Sequence, residues 1–297
     1  MRTPRFPSRR SAVLARQGMV ATSQPLAAMA GLRVLMEGGN AADAAVTAAA
    51  MLNVVEPMST GIGGDCFALI HQAATRQVTA LNGSGRAPLA FSLEEARRRG
   101  LETMPTTGPL PVTVPGTVSG WSALLDRFGT RTLAECLTPA LQAAQTGFPV
   151  SERISAAWQH SVKKLSKDRE AARVYLPAPR PGQLHRQPDL ACTFQIIAEG
   201  GAEAFYHGPL AEKIAASVQA RGGYRAASDL ASHTATWEEP ICASYRGVEV
   251  LEHPPNGQGL AALVALNIVE GYDWTETAYF DPGRWHTTIE AMRLGMV

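Results

Sequence analysis

Gly38-Gly39-Asn40-Ala41-Ala42-Asp43-Ala44-Ala45-Val46-Thr47-Ala48-Ala49-Ala50-Met51-Leu52 is the stretch from which the fold can be read outward. Asn40 is suited to cap a helix N-terminus, and Asp43 at N3 favours the positive end of the helix dipole. The helix predicted over 41–52 is small and apolar nearly all round, so it is expected to be a buried central helix in close contact with its neighbours. Glu56-Pro57 closes it. Upstream, Pro25–Met36 reads as a first helix with Leu26, Met29, Ala30, Leu32 and Leu35 on or near one face, and Gly38-Gly39 supplies its C-cap.

Downstream lies the glycine-rich turn Ser59-Thr60-Gly61-Ile62-Gly63-Gly64-Asp65. It precedes a strand and no helix follows, so it fits neither G-x-G-x-x-G nor a Walker loop. The expected role is a turn with positive φ that lets backbone amides approach something closely. Cys66–His71 and Gln77–Asn82 read as a hairpin, ended by Gly83-Ser84-Gly85-Arg86-Ala87-Pro88. A capping box at Ser92–Glu95 starts a short helix that Arg97-Arg98-Arg99-Gly100 closes, with the arginines on a solvated face.

Further helices are expected from Val114-Pro115-Gly116-Thr117 through Phe128, over Leu133–Ala144, over a charged Lys163–Arg173, and over Asp189–Glu199 and Leu210–Arg221. Pro177, Pro179, Pro181 and Pro188 mark a loop. A second strand pair spans Ile241–Glu252 and turns near Arg246-Gly247. The turn Pro254–Gly259 leads into an apolar helix, Leu260–Val269, and a last helix from Asp281-Pro282 carries Trp285, Ile289 and Met292 at i, i+4 and i+7. The pattern is a helix-rich α+β chain without internal repeats.

The 297 residues are 45% hydrophobic and 18% charged, with 27 Lys plus Arg against 26 Asp plus Glu, a net charge of +1. Such a chain fills a core and carries no electrostatic footprint for nucleic acid. Cys66, Cys136, Cys192 and Cys242 stand far apart with no C-x-x-C, and are read as free, mostly buried thiols; Cys66, opening a core strand, is read as packing. The histidines show no metal-ligand spacing, and neither metal nor cofactor is expected. Arg2, Arg5, Arg9, Arg10 and Arg16 make a basic N-terminal tail, 1–17. The apolar run after Ser8-Arg9-Arg10 is too short for a signal peptide, which predicts a cytoplasmic protein, and no stretch is long enough to span a membrane. No G-x-S-x-G elbow is present. Arg86, in a Gly/Ser-rich break at a strand end, is read either as a surface arginine or as a carboxylate ligand. Taken alone, these residues name no reaction.

Several segments together resemble the large-subunit region of the γ-glutamyltranspeptidases. They are Gly18-Met19-Val20-Ala21, Gly38 through Val46, Glu56 through Gly64, Val114-Pro115-Gly116, Gly147-Phe148-Pro149-Val150, Tyr245-Arg246-Gly247, Pro254 through Gly259, and His286 with Ile289 through Leu294. They follow the family's order over nearly the whole chain, 18–297. The resemblance implies an N-terminal nucleophile hydrolase: an αββα sandwich, made as a precursor that cleaves itself into two subunits. In that family a threonine opening the small subunit is the nucleophile, and its own α-amino group activates it.

No Thr-Thr-His opening a strand occurs here. Thr106-Thr107 precedes Gly108-Pro109, and Thr287-Thr288 sits in a predicted helix. The chain thus resembles the large-subunit half alone, ends before the nucleophile and is expected to contain no catalytic residue of its own. Its expected partners are a small-subunit chain or segment and a small-molecule amide or peptide substrate, not nucleic acid or membrane. The other reading is a non-catalytic remnant or inactive partner subunit.

Family members hold the substrate's α-carboxylate with the arginine of an Arg-Glu pair shortly before Ala-Pro. Aligning on Ala87-Pro88 puts Ser84 and Gly85 at those positions and shifts Arg86 by two. The Gly-Ser-Gly-Arg-Ala-Pro form resembles a branch that includes acylases. Arg86 and Ser84 are therefore the candidate substrate-binding residues, and the turn Gly61, Gly63, Gly64 and Asp65 is expected to shape the pocket floor. In a half sandwich, the two strand pairs are expected to lack neighbours and some helices to expose apolar stripes.

Overall fold

A computed structural model describes residues 11–296. Arg2, Arg5, Arg9 and Arg10 of the expected tail, and Val297, lie outside the described residues, and 11–17 carry no helix or strand. The chain opens with α1 (Pro25–Met36) and α2 (Ala41–Val55), then the hairpin β1 (Cys66–Gln72) and β2 (Gln77–Gly83). Helices α3 (Leu93–Arg98), α4 (Thr117–Phe128) and α5 (Leu133–Thr146) follow, then β3 (Phe148–Pro149), α6 (Glu152–Leu165), α7 (Arg169–Tyr175), β4 (Leu184–His185) and α8 (Pro188–Gly200). The remainder is α9 (Glu203–Tyr206), α10 (Pro209–Gln219), α11 (Ala227–Ala231), β5 (Thr236–Glu238), β6 (Ile241–Tyr245), β7 (Val248–Glu252), α12 (Gly259–Glu270) and α13 (Pro282–Gly295). The mixture is α+β, as expected. Among the described residues no helix is long and apolar enough to cross a membrane.

Two compact units emerge. The first joins residues up to Thr60 with Arg127–Glu199. Its centre is the α1–α2 pair. α1 ends as the Gly-Gly pair predicts: the Gly39 N–H reaches the Val34 carbonyl at 2.9 Å and the Gly38 N–H the Leu35 carbonyl at 3.2 Å. Asn40 then caps α2 through the amides of Ala42 and Asp43, and Asp43 returns the bond to the Asn40 N–H. Val46, Ala50, Val54 and Val55 of α2 are buried, and Gly31 of α1 faces Ala44 and Ala48.

Asp43 does more than cap. It is fully buried, and its oxygens accept from the Thr130 hydroxyl (2.6 Å) and from the N–H groups of Asn40, Thr130 and Arg131 (2.8–3.1 Å). Burial alone would raise its pKa, but the Thr130 hydroxyl and the three backbone donors together outweigh burial and hold the carboxyl below its ordinary value.

The second unit joins Gly61–Asp126 with the chain from Gly200. Its sheet has the order β1-β2-β5, both pairs antiparallel, with Cys66 opposite Gly83, and Leu81 opposite Trp237. β6 and β7 form a separate two-stranded ribbon. The expectation that both strand pairs lack neighbours is thus corrected for the first, because β5 covers the β2 edge and carries Thr234–Glu238 to the end of the hairpin. α12 and α13 pack through small residues: Ala265 and Ala291 are buried, and Gly295 faces Ala261. Trp285, Ile289 and Met292, the apolar positions of α13, are exposed instead.

Other expectations are also corrected. The helix expected over Lys163–Arg173 is two helices. Ser166 ends α6, and the Asp168 carboxylate accepts from the Ala171 N–H to start α7. Ser92 caps α3, but Glu95 does not complete the box: its carboxylate is drawn to Arg98, Arg99 and Tyr224. Of the free cysteines, Cys136 is buried and Cys66 half-buried, while Cys192 and Cys242 are exposed.

The glycine-rich turn also differs from expectation. None of Gly61, Gly63 and Gly64 has positive φ, and a Cβ on Gly61 or Gly63 would meet nothing within 4 Å. The close approach occurs elsewhere. A Cβ on Gly85 would lie 1.5 Å from the Val114 carbonyl oxygen, and one on Gly116 only 1.7 Å from the Gly83 oxygen. Two backbone strips therefore cross in van der Waals contact, and only glycine fits there.

Two outcomes follow for stability. Asp43→Asn turns one saturated acceptor into an amide donor aimed at N–H or O–H groups, and should cost about 3 kcal/mol in urea unfolding at neutral pH. Because the folded carboxyl titrates below its ordinary value, its contribution is complete above the ordinary carboxylate range and fades as pH falls through the folded value. The gap between wild type and Asp43→Asn should therefore close in acid. In the second unit, Gly85→Ala and Gly116→Ala should each unfold or grossly destabilise the chain, whereas Gly61→Ala should stay within about 0.5 kcal/mol of wild type by thermal melting.

Candidate functional site

The hairpin end builds a site. Asn82, the penultimate residue of β2, turns its amide onto the loop that follows: its Oδ1 accepts from the Ser84 N–H at 3.0 Å and lies 2.7 Å from the Ser84 hydroxyl. Next, the Gly85 N–H donates to Asp65 Oδ1 at 3.0 Å, and the Arg86 carbonyl accepts from the Val114 N–H at 3.0 Å. The Leu89 N–H ends on Asp229 Oδ1 at 3.1 Å. Ser84, Gly85, Arg86 and Leu89 of this loop are thereby each fixed to a different part of the chain.

A cavity of about 720 Å³ opens beside this loop, and Ser84 and Arg86 both line it. Opposite them stand Asp229 from α11, the segment Ser232–Thr234, Thr236 and Glu238 from β5, and Asn256 from the turn after β7. The Asn256 amide donates to the Ser84 hydroxyl at 2.9 Å, and the Asn82 amide donates to Glu238 Oε1 at 3.2 Å and Asn256 Oδ1 at 3.1 Å. The result is a polar wall made from three separate stretches of chain.

Among the described residues no hydrogen bond or ion pair engages the Arg86 guanidinium. Asp229, which lines the same cavity and accepts the amides of Leu89 and Ala226, forms no ion pair with it among the described residues. An unpaired guanidinium at a cavity wall is suited to a planar anion such as a carboxylate.

The turn Gly61–Asp65, expected to shape the pocket floor, is not among the residues lining this cavity. It acts one step behind: the Gly64 carbonyl accepts the amides of Gly116 and Thr117, and the Thr117 hydroxyl donates to the Asp65 carbonyl at 3.1 Å. Cys66 packs against Gly120 of α4, and burial, with the nearby Asp65 charge, pushes its thiol up to about 11. That thiol is not a nucleophile at neutral pH.

Sequence reading missed Asn82, His233, Glu238 and Asn256. Their signal was proximity to predicted turns and, for Asn256, its place in the family-like segment Pro254–Gly259. His233 follows α11, and its ring stands 5.5 Å from that of Tyr206, whose hydroxyl donates to the Pro115 carbonyl and accepts from the Ser119 N–H. Burial first, then the charge of Arg86, lowers the His233 pKa against a smaller opposing effect of Asp65. The Thr-Thr pairs offer no nucleophile: Thr107 precedes a glycine turn, and the Thr288 hydroxyl is tied to the Arg284 carbonyl inside α13.

These features can be set beside known proteins. The chain is 38% identical over 285 residues to the glutathione hydrolase-like YwrD proenzyme of Bacillus subtilis, covering 95% of this chain and 54% of that one. It superposes on cephalosporin acylase from Bacillus halodurans with a TM-score of 0.91 and 43% identity, over 99% of this chain and 56% of that one. Helicobacter pylori gamma-glutamyltranspeptidase gives a TM-score of 0.90 and 32% identity, over 96% of this chain and 84% of that chain. This chain spans about half the length of the curated relatives it matches. Residues 27–297 match the family model described as Gamma-glutamyltranspeptidase, and the chain belongs to that family of hydrolases and transferases with its α+β, N-terminal nucleophile fold.

Proposed function

We propose that this chain provides the carboxylate-binding side of an amide-bond hydrolase or acyltransferase acting on γ-glutamyl or related carboxylate-bearing acyl groups. The observation that carries this reading is the unpaired Arg86 guanidinium at the wall of the cavity beneath the hairpin end. The polar wall of Ser84, Asn82 and Asn256 supports it, since fixed donors and acceptors orient a small polar substrate without reorganisation.

The nucleophile comes from a small-subunit segment outside these residues. That the similar Bacillus subtilis proteins are proenzymes, and are about twice as long, supports that division. The hydroxyl oxygen of an N-terminal threonine attacks the amide carbon, its proton passing to the threonine's own amine. The C–N bond breaks, the leaving amine takes that proton, and an ester acyl-enzyme remains. Water or a second amine then attacks the ester and restores the threonine. Arg86 holds the acyl group's carboxylate through both steps.

The chain alone should show no hydrolysis of γ-glutamyl-p-nitroanilide, because hydrogen-bond donors without a nucleophile form no acyl-enzyme. Joined to a segment that opens with Thr-Thr-His, it should gain turnover. In that joined protein Arg86→Ala should lower kcat/KM by roughly 10- to 150-fold, the worth of a charge-assisted bidentate contact of about 1.5–3 kcal/mol. An unchanged kcat/KM would remove Arg86 from the site. A joined protein that stays inert would favour the competing reading of a non-catalytic subunit.

A further inference from the structure

We infer that His233 is a second recognition residue of the Arg86 cavity, presenting its Nδ1–H to the substrate carboxylate and so setting the preference for an acid over its amide. The inference rests on the reading of Arg86 given above and adds a residue to it.

Three observations carry it. The first is placement. His233 and Arg86 line the same cavity, and the histidine is held there rigidly. Its own N–H donates to the Leu230 carbonyl at 3.0 Å, the Ala235 N–H donates to Ser119 Oγ at 2.8 Å, and the ring is braced against Tyr206.

The second is the state of its two nitrogens. Nε2 is closed off from solvent with no hydrogen-bond partner among the described residues, and a Cβ on Gly116 would lie 3.3 Å from it. A proton on Nε2 would be a buried donor without an acceptor, the costlier way to arrange a neutral imidazole. The proton is therefore assigned to Nδ1, the ring nitrogen that is not closed off.

The third is charge. Burial and the Arg86 charge both oppose protonation of the ring, with Asp65 acting weakly the other way. The acidic groups that share the cavity are engaged: Asp229 by the amides of Leu89 and Ala226, and Glu238 by Asn82 and the Thr236 hydroxyl. The ring thus stays neutral beside Arg86 and offers one directed N–H.

Two donors that line one cavity favour a carboxylate, whose oxygens are both acceptors. A carboxamide would set its own N–H against one of them. The cavity should therefore prefer glutarate to the isosteric glutaramide, and His233 should supply part of that preference.

Titration calorimetry of the 297-residue chain with both compounds tests this. His233→Phe keeps a ring against Tyr206 but removes both nitrogens, and should weaken glutarate about ten-fold while leaving glutaramide unchanged. His233→Asn, whose amide N–H overlays Nδ1, should restore most of the loss. His233→Gln, whose amide overlays Nε2, should not. If His233→Phe binds glutarate as the parent does while Arg86→Ala does not, the inference falls and the reading of Arg86 stands. If neither variant matters, or the parent binds no glutarate, both fall. Should the histidine variants fail to fold, nitrogen NMR of the parent decides: a protonated Nδ1 and bare Nε2 at neutral pH are expected, and the reverse tautomer would overturn the assignment.

Discussion

Two strips of backbone, Gly83–Arg86 and Val114–Gly116, pass so closely that no side chain fits between them, and the site depends on that crossing. It joins the end of the β1–β2 hairpin to the start of α4. Gly64 completes the junction by accepting the amides of Gly116 and Thr117, and Asp65 by accepting that of Gly85. The buried Arg225 adds a hydrogen bond to the Val112 carbonyl at 2.8 Å, steadying the second strip just before it crosses the first. With both strips fixed, Arg86 is projected from a backbone that has little freedom to move.

The charged groups of the protein divide by how fully they are used. Asp43 has four donors on two oxygens, and Asp229 caps α11 while holding the loop at Leu89. Both are committed to the fold: removing Asp43 would leave three N–H groups and a hydroxyl without their acceptor, and removing Asp229 would leave two N–H groups. Arg86 has its backbone carbonyl engaged and its side chain free, the opposite distribution. A cation fixed at its base and unpaired at its tip retains its full affinity for an incoming anion, since no internal partner has to be displaced.

Local chemistry explains what the sequence makes legible. The α1–α2 junction is readable because Gly38, Gly39, Asn40 and Asp43 each do one strongly position-specific thing within a few residues. The hairpin is readable because its strands pair across a short link. α6 is missed although Ser151 caps it and Ile154 and Trp158 bury one face, because the charged run beyond Lys163 dominates the pattern. β5 has three residues, too few for periodicity, and its strand character comes only from pairing with β2. Arg86 and Ser84 are found through the resemblance. His233 and Asn256 lie about 150 residues or more from them in the chain, and only tertiary structure brings them to the same cavity.

The backbone crossing also ties the cavity to the fate of the whole unit. Most binding loops open at small free-energy cost, independently of global unfolding. Here the amides of Gly85, Val114 and Gly116 are hydrogen-bonded within the junction itself, so the cavity wall loosens only when the hairpin separates from α4. Occupancy and folding then draw on one equilibrium: a molecule held by Arg86 stabilises the hairpin–α4 junction as a block, by RT ln(1 + [L]/Kd). On the role proposed for Arg86, ligand binding would thereby be coupled to the cooperativity of this unit's unfolding.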